Sequence, residues 1–202
     1  MQRFCILITT IFISVSLDAQ IDSTDEIRAY EYDTTLKSGY NISFKVDDSL
    51  QYLYLKKHGK TITELSSTSR GLPYKNLGYV GADFKDYFVF VHSYGSGNPH
   101  YIELIKKVTG ENILKEGGAW IDVDTIKQVL LFSKADIPDE TDKMTLLDIT
   151  TMKQKDYPFP KEIFAEPEKL NRIRLLNVTP KTFTIEYDYK DWSVTKKKTY
   201  SR

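Results

Sequence analysis

The chain has 202 residues, and its 28 lysine and arginine residues balance its 28 aspartate and glutamate residues. A chain of this length can bury a sizeable core, and a single domain is the expected organisation. Because the net charge is zero, a general electrostatic attraction to nucleic acid or to an anionic membrane surface is not expected.

Residues 1–19 have the three parts of a secretory signal peptide: Arg3 at the front, an apolar run, and a short polar stretch ending at Ala19. The apolar run is about a dozen residues long, whereas a membrane-spanning helix needs roughly 20. We therefore expect cleavage after Ala19, export to the periplasm or the cell exterior, and no integral membrane anchor afterwards. Cleavage would also remove Cys5, the only cysteine, which excludes disulfides, thiolate metal sites and thiol catalysis in the mature chain.

Residues 20–38 are polar and form either a spacer or an irregular first strand, and residues 39–202 form a single β domain. Short segments of this domain alternate between apolar and polar residues, which is typical of half-buried strands. One segment, Pro158 to Leu170, departs from this pattern and allows a short helix or an excursion. The predicted strands are Tyr40–Val46, Gln51–Lys56, Lys60–Leu65, Tyr87–His92, Tyr101–Lys106, Trp120–Val123, Gln128–Phe132, Met144–Ile149, Arg172–Val178, Thr182–Tyr189 and Trp192–Thr199.

A pattern of strand, polar turn and strand recurs four times, with the turns anchored at Asp47, Asp83, Asp124 and Thr179. It resembles the blades of β-propellers, in which a small sheet recurs every ~40 to 50 residues. Any antiparallel meander has similar turns, because Asp suits their backbone geometry. The predicted fold class is therefore all-β, an antiparallel meander of about 11–13 short strands in propeller-like repeats, with a sandwich or a curled barrel as the alternative.

The connection from His92 to Tyr101 is the most unusual stretch, because it combines two of the three histidines with glycines and tyrosines. Glycines let a backbone approach a ligand, while tyrosine and histidine supply flat rings that carry polar atoms. A long hairpin loop facing water would have a similar composition. The candidate binding residues are His92, Tyr94, Asn98, His100 and Tyr101.

The same loop does not have the context of a serine nucleophile. Ser96 lies between two glycines, but a nucleophile elbow leads from a strand into a helix, whereas a second strand follows here. Ser96, Gly97 and Tyr101 resemble the protruding loop of bacterial periplasmic lysozyme inhibitors, which implies a role in binding a protein partner.

Paired carboxylates leave a glycan hydrolase open as an alternative. Asp122 with Asp124, or Glu103 with Asp148, would supply an acid and a base if one cleft held them about 5 to 9 Å apart. Asp122 and Asp124 alternate with apolar residues, so we expect both to point to the solvent side of a strand.

Four short motifs of Asp, then Ser or Thr, then an apolar residue or Thr are similar to the O-glycosylation sequon of Bacteroidota envelope proteins. This resemblance implies a bacterial envelope source. The four motifs are Asp22-Ser23-Thr24, Asp33-Thr34-Thr35, Asp48-Ser49-Leu50 and Asp124-Thr125-Ile126.

The chain has no phosphate-binding glycine loop ahead of a helix, no dinucleotide fingerprint and no calcium loop, so no cofactor is expected. The sequence favours an exported, non-enzymatic protein that binds a protein or glycan through surface loops. The hydrolase and a structural component of an envelope assembly are the alternatives.

Overall fold

The computed structural model describes residues 34–72, 74–93, 99–115, 117–134, 142–164 and 168–202. The secondary structure of these ranges consists of β-strands and short 3₁₀ helices, with no α-helix, and the predicted all-β class is confirmed. The predicted signal peptide, residues 1–19, lies outside the described residues. Within the described residues, no helix has the length and apolar character needed to cross a membrane.

All pairings between strands are antiparallel in the described part of the chain. The strands are β1 Thr34–Leu36, β2 Tyr40–Val46, β3 Leu50–Lys57, β4 Lys60–Ser69, β5 Tyr79–Asp83, β6 Tyr87–His92, β7 Tyr101–Lys106, β8 Glu111–Asn112, β9 Gly118–Asp124, β10 Val129–Ser133, β11 Lys143–Asp148, β12 Lys153–Pro158, β13 Ile173–Val178, β14 Thr182–Tyr189 and β15 Val194–Ser201.

The strands form four meanders that follow one another along the chain: β1–β4, β5–β8, β9–β12 and β13–β15, called here the first to the fourth meander. The second and third meanders are joined in one sheet, because Tyr101 pairs with Ala119 and Ile102 with Gly118. This junction has only two residue pairs, so the two meanders can fold against each other on either side of it.

Each meander packs on the next through apolar side chains, as β6 shows most clearly. Successive side chains of a strand point to opposite faces, and both faces of β6 are buried. Phe88 and Phe90 pack against the first meander, whereas Val89 and Val91 belong to the core shared with the third. A further core lies between the third and fourth meanders. The result is a stack of four meanders in chain order.

The four anchors of the sequence repeat all lie at hairpin turns, between β2 and β3, β5 and β6, β9 and β10, and β13 and β14. In two of these turns the Asp side chain accepts hydrogen bonds from backbone amides. Asp47 Oδ1 accepts from Ser49 N and Leu50 N at 3.0 and 2.8 Å, and Asp124 Oδ1 accepts from the corresponding amides of its own turn. The Asp residues therefore serve turn geometry. Arrangement of the meanders as a propeller stays a prediction.

Three strands of the structure, β5, β8 and β12, are not among the strands predicted from the sequence. The strand β12 was not predicted, because four of its six residues are exposed in a row and only Tyr157 is buried. The strand β1 lies inside residues 20–38, the predicted spacer or irregular strand. The segment between Pro158 and Leu170 contains the short 3₁₀ helix Lys161–Ile163.

A buried lysine joins the first and second meanders. The side chain of Lys107 is 1% exposed, and its Nζ lies 2.6 Å from Asp83 Oδ1. The same ammonium donates to the backbone oxygens of Lys37 and Phe84, at 3.0 and 2.6 Å. Asp83 Oδ2 in turn accepts from Lys37 N at 2.7 Å. Lys107 therefore provides hydrogen bonds to turn carbonyls that packing of the two meanders removes from water.

Replacing Lys107 by Met should lower the free energy of unfolding by about 3 kcal/mol, because the Asp83 carboxylate and two carbonyls lose their common donor. Chemical denaturation measures this change. The matched control is Lys85→Met on the neighbouring turn, where the side chain is exposed and a change below about 0.5 kcal/mol is expected. Equal losses in the two variants would contradict the role given to Lys107.

Candidate functional site

Three of the five predicted binding residues lie within the described residues. His92 ends β6, Tyr101 begins β7, and the two are directly paired. Tyr94 and Asn98 lie outside the described residues. Because paired residues of neighbouring strands share a face of the sheet, His92 and Tyr101 are placed on the same side of the second meander.

His92 faces the first meander. Its ring makes an edge contact with Phe90, with ring centroids 4.9 Å apart, and Phe90 belongs to the core shared with the first meander. On the other side, Nε2 lies 3.8 Å from Glu103 Oε2. The side chain is 16% exposed, so it is fixed by packing while one part of the ring still reaches an open cavity.

This cavity, the histidine pocket, has a volume of about 420 Å³ and lies between the first and second meanders. Every residue of its described lining is polar. Ser66 contributes to the wall while its hydroxyl donates to the backbone oxygen of Leu77. The lining residues are Ser66, Ser67, Thr68, Asn76 and His92.

His100 has different neighbours. Its Nδ1 lies 3.2 Å from the hydroxyl of Tyr79, and the two rings meet edge to face with centroids 6.4 Å apart. Tyr79 pairs with Val91, which belongs to the core shared with the third meander. The pairing register therefore places His100 and Tyr79 on the side of the sheet opposite His92. Burial raises the pKa of the Tyr79 hydroxyl, so it remains a hydrogen-bond donor at neutral pH.

Several residues around these histidines had not been identified from the sequence. Ser66 and Thr68 belong to a run of small polar residues in β4 that follows Leu65, where the predicted strand ends. Asn76 and Tyr79 flank Gly78, whose φ of 91° marks a turn. Their proximity to the histidines depends on how the meanders pack, and no local pattern indicates it.

The four carboxylates considered for hydrolysis each have a structural partner. Asp122 does not face solvent as expected: its Oδ2 accepts from Leu175 N of the fourth meander at 2.6 Å, and its Oδ1 accepts from Val123 N. Desolvation raises the pKa of Asp122 despite these hydrogen bonds. The pairing of β9 with β10 shifts its register beside Asp122, and Asp122 contacts the fourth meander together with Ile121, which belongs to the core between the third and fourth meanders.

The other proposed pair, Glu103 and Asp148, is divided between two joints of the stack. Glu103 lies beside His92 on β7. Asp148 ends β11, where its Oδ2 lies 2.8 Å from a guanidinium nitrogen of Arg202. Asp124 is occupied with the amides of its turn. In none of these contacts do two carboxyl groups face each other across a common cleft, as an acid and base pair would. The described ranges also contain no group of three or more metal-ligating side chains.

A larger cavity, the basic groove, lies between the third and fourth meanders and has a volume of about 740 Å³. One wall is the edge strand β12, and the other comes from the turn between β13 and β14 together with Arg202. Its lining residues are Lys127, Leu146, Asp148, Thr150, Thr151, Lys153, Gln154, Lys155, Tyr157, Val178, Thr179, Pro180 and Arg202.

Replacing Asp122 by Asn keeps an oxygen that can accept from Leu175 N but removes the titrating group. Because the folded-state pKa of Asp122 is raised above its ordinary value of 3.8, its contribution to stability is present below that value and lost as the pH rises through the folded pKa. The free energy of unfolding of the wild type minus that of D122N should therefore fall as the pH rises from below 3.8 through the raised pKa of Asp122. Denaturant titrations at several pH values measure this difference, and a constant difference would contradict the assignment.

The histidine pocket thus offers hydroxyl, amide and imidazole groups, while the basic groove offers ammonium and guanidinium groups above an apolar floor. Both cavities lie at joints between successive meanders. Neither models of known protein families nor curated protein sequences match this chain.

Proposed function

We propose that the chain is an exported, non-enzymatic binding protein of the bacterial envelope, which recognises a protein or glycan partner at the histidine pocket and the adjacent loop. The observation that supports this proposal most directly is the wholly polar described lining of the pocket. Hydroxyl, amide and imidazole groups can both donate and accept hydrogen bonds, which is what recognition of sugar hydroxyls requires. The pocket therefore favours a glycan over an apolar ligand.

The position of His92 also suits recognition. Phe90 packs against the ring and Glu103 lies 3.8 Å from Nε2, so little side-chain entropy remains to be lost when a ligand binds. A volume of about 420 Å³ is within the range of small-molecule pockets, and it would accommodate one or two sugar units of a longer chain.

The contacts of the carboxylates favour binding over hydrolysis. Asp122, Asp124 and Asp148 accept hydrogen bonds from backbone amides, which engages oxygens that a general acid or base would use on substrate. Glu103 lies beside His92, but the described lining of the histidine pocket contains no carboxylate.

Export predicts a defined N-terminus. When the full-length chain is expressed in a bacterium with a periplasm, the protein recovered from the periplasm or medium should begin at Gln20, because signal peptidase cleaves after the small residue Ala19. Mass spectrometry of the intact protein checks this. A variant lacking residues 2–19 should stay in the cytoplasm. Recovery of the chain with its first 19 residues still attached in the membrane fraction would contradict export by cleavage.

A double variant, His92→Ala with Asn76→Ala, should weaken glycan binding at least tenfold, because it removes two polar groups of the pocket. Binding is measured on immobilised mature protein with a panel of neutral oligosaccharides and envelope extracts, and circular dichroism verifies the fold. The control is His58→Asn, which changes the third histidine, exposed at φ 49° in the turn between β3 and β4, to a residue that tolerates this conformation.

A second double variant, Tyr94→Ala with His100→Ala, measures the contribution of the loop in the same assay. Loss of binding in the His92 and Asn76 variant, with retention in His58→Asn, is the expected result. Loss in the Tyr94 and His100 variant as well would show that the partner also contacts the loop, since His100 lies on the side of the sheet opposite His92. Unchanged capture of every ligand by the His92 and Asn76 variant would refute the pocket as the binding site.

A further inference from the structure

We infer that the basic groove is a separate binding site for an acidic oligosaccharide, a chain of sugars carrying carboxylate or sulfate groups. The groove lies between the third and fourth meanders, and none of its lining residues is shared with the histidine pocket. Its volume of about 740 Å³ is within the range of pockets that enclose small ligands.

The charge of the groove differs from that of the whole chain. The described lining contains four cationic side chains and one carboxylate, Asp148; the cations are Lys127, Lys153, Lys155 and Arg202. The chain as a whole has no net charge, so this is a local concentration of positive charge. This local charge would attract a ligand at short range, because salt at 0.1 M screens the interaction between exposed charges beyond about 10 Å.

The single carboxylate is already engaged. Asp148 Oδ1 accepts from Thr150 N and Thr151 N at 3.0 and 2.9 Å, and Oδ2 pairs with Arg202. Burial acts to raise the pKa of Asp148, but the Thr151 hydrogen bonds and the Arg202 guanidinium outweigh it and hold the pKa below its usual value. Asp148 therefore remains ionised and neutralises Arg202, which leaves the three lysines as the net positive charge of the described lining.

The lysines are available to a ligand to different degrees. Lys127 and Lys153 are exposed. Lys155 donates to the backbone oxygen of Ser201 at 3.1 Å and lies 5.2 Å from the centre of the Tyr157 ring. An ammonium has three donor hydrogens, so this hydrogen bond leaves two for a ligand.

Lysines on an edge strand also prevent edge-to-edge aggregation, and β12 is an edge strand. Protection against aggregation requires cations only on the edge strand itself. Here the cations come from three separate segments: Lys127 from the turn after β9, Lys153 and Lys155 from β12, and Arg202 from the residue after β15. Convergence of cations from three segments on one cavity favours a binding site.

The uncharged lining residues indicate a sugar chain. Thr150, Thr151 and Gln154 offer hydroxyl and amide groups of the kind that pair with sugar hydroxyls. Leu146 and Val178 form an apolar floor that suits the C–H faces of a sugar ring. Lys153 and Lys155 are two residues apart on an extended strand, roughly 6.6 Å, and form a row of charge suited to a ligand with repeated acidic groups.

The test uses isothermal titration of the mature chain with two acidic probes, an oligogalacturonate and a sulfated heparin-derived oligosaccharide, and with the methyl ester of the oligogalacturonate as a neutral counterpart. At least one acidic probe should bind, more weakly as salt rises from about 50 to about 300 mM. The methyl ester should bind at least tenfold more weakly than the free acid if the uronate is the ligand.

The double variant Lys127→Gln with Lys153→Gln should reduce the affinity for the bound acidic probe at least tenfold. The matched control is Lys60→Gln with Lys85→Gln, which removes the same charge from exposed positions in the first and second meanders and should keep the affinity. The His92 and Asn76 variant should also keep it, which separates this site from the histidine pocket.

The inference is overturned if neither acidic probe binds, or if Lys127→Gln with Lys153→Gln binds as tightly as the wild type. It is also overturned if a polyglutamate peptide binds more tightly than both acidic probes, since the occupant would then be an acidic peptide. Equal loss of affinity in the two lysine double variants would show that binding depends on total charge, and it would overturn the assignment of the site to the basic groove.

Discussion

The buried ammonium of Lys107 is the interaction on which the first half of the stack depends. Packing the first meander on the second encloses the turn after β5 and the residues around Lys37, whose backbone groups would otherwise lose water without replacement. Lys107 pairs with Asp83 and donates to two carbonyls at once. The walls of the histidine pocket belong to these same two meanders.

Charged side chains also satisfy backbone atoms at the joint between the third and fourth meanders. The Asp122 carboxylate accepts from Leu175 N, and Arg202 joins Asp148 to the backbone oxygen of Thr179. These two joints thus combine an apolar core with a charged group that satisfies backbone atoms of the adjoining meander. Because both candidate sites lie at such joints, a ligand that bridges two meanders would stabilise the stack on binding.

The sequence predicted most strands because alternation and turn residues are local signals. The run from Phe88 to Val91 is apolar at every position, and the structure buries both of its faces. In contrast, β12 reads Lys-Gln-Lys-Asp-Tyr-Pro and pairs with β11 only because an edge of the sheet is available there. For polar edge strands, partner strands rather than intrinsic propensity determine the conformation.

The candidate site was predictable in part for the same reason. His92 was identified by its place beside a glycine-rich loop, whereas Ser66 and Asn76 come near it only when two meanders pack together. Asp122 shows the opposite error. Ile121 belongs to the core between the third and fourth meanders, and Asp122 accepts from Leu175 N of the same fourth meander, at the point where the pairing of β9 with β10 shifts its register. Strict alternation assumes regular pairing, so it assigns the wrong face where one strand carries an extra residue.

Net charge has a similar limitation as a guide to partners. The balance of 28 cationic and 28 anionic residues predicts no strong long-range attraction to nucleic acid. Folding nevertheless brings Lys127, Lys153, Lys155 and Arg202 to one cavity from segments that are distant along the chain. A bound ligand interacts mainly with the charged groups that lie within about one Debye length of its own charges. The ligand class of a cavity is therefore determined by its own lining, even in a chain whose total charge is zero.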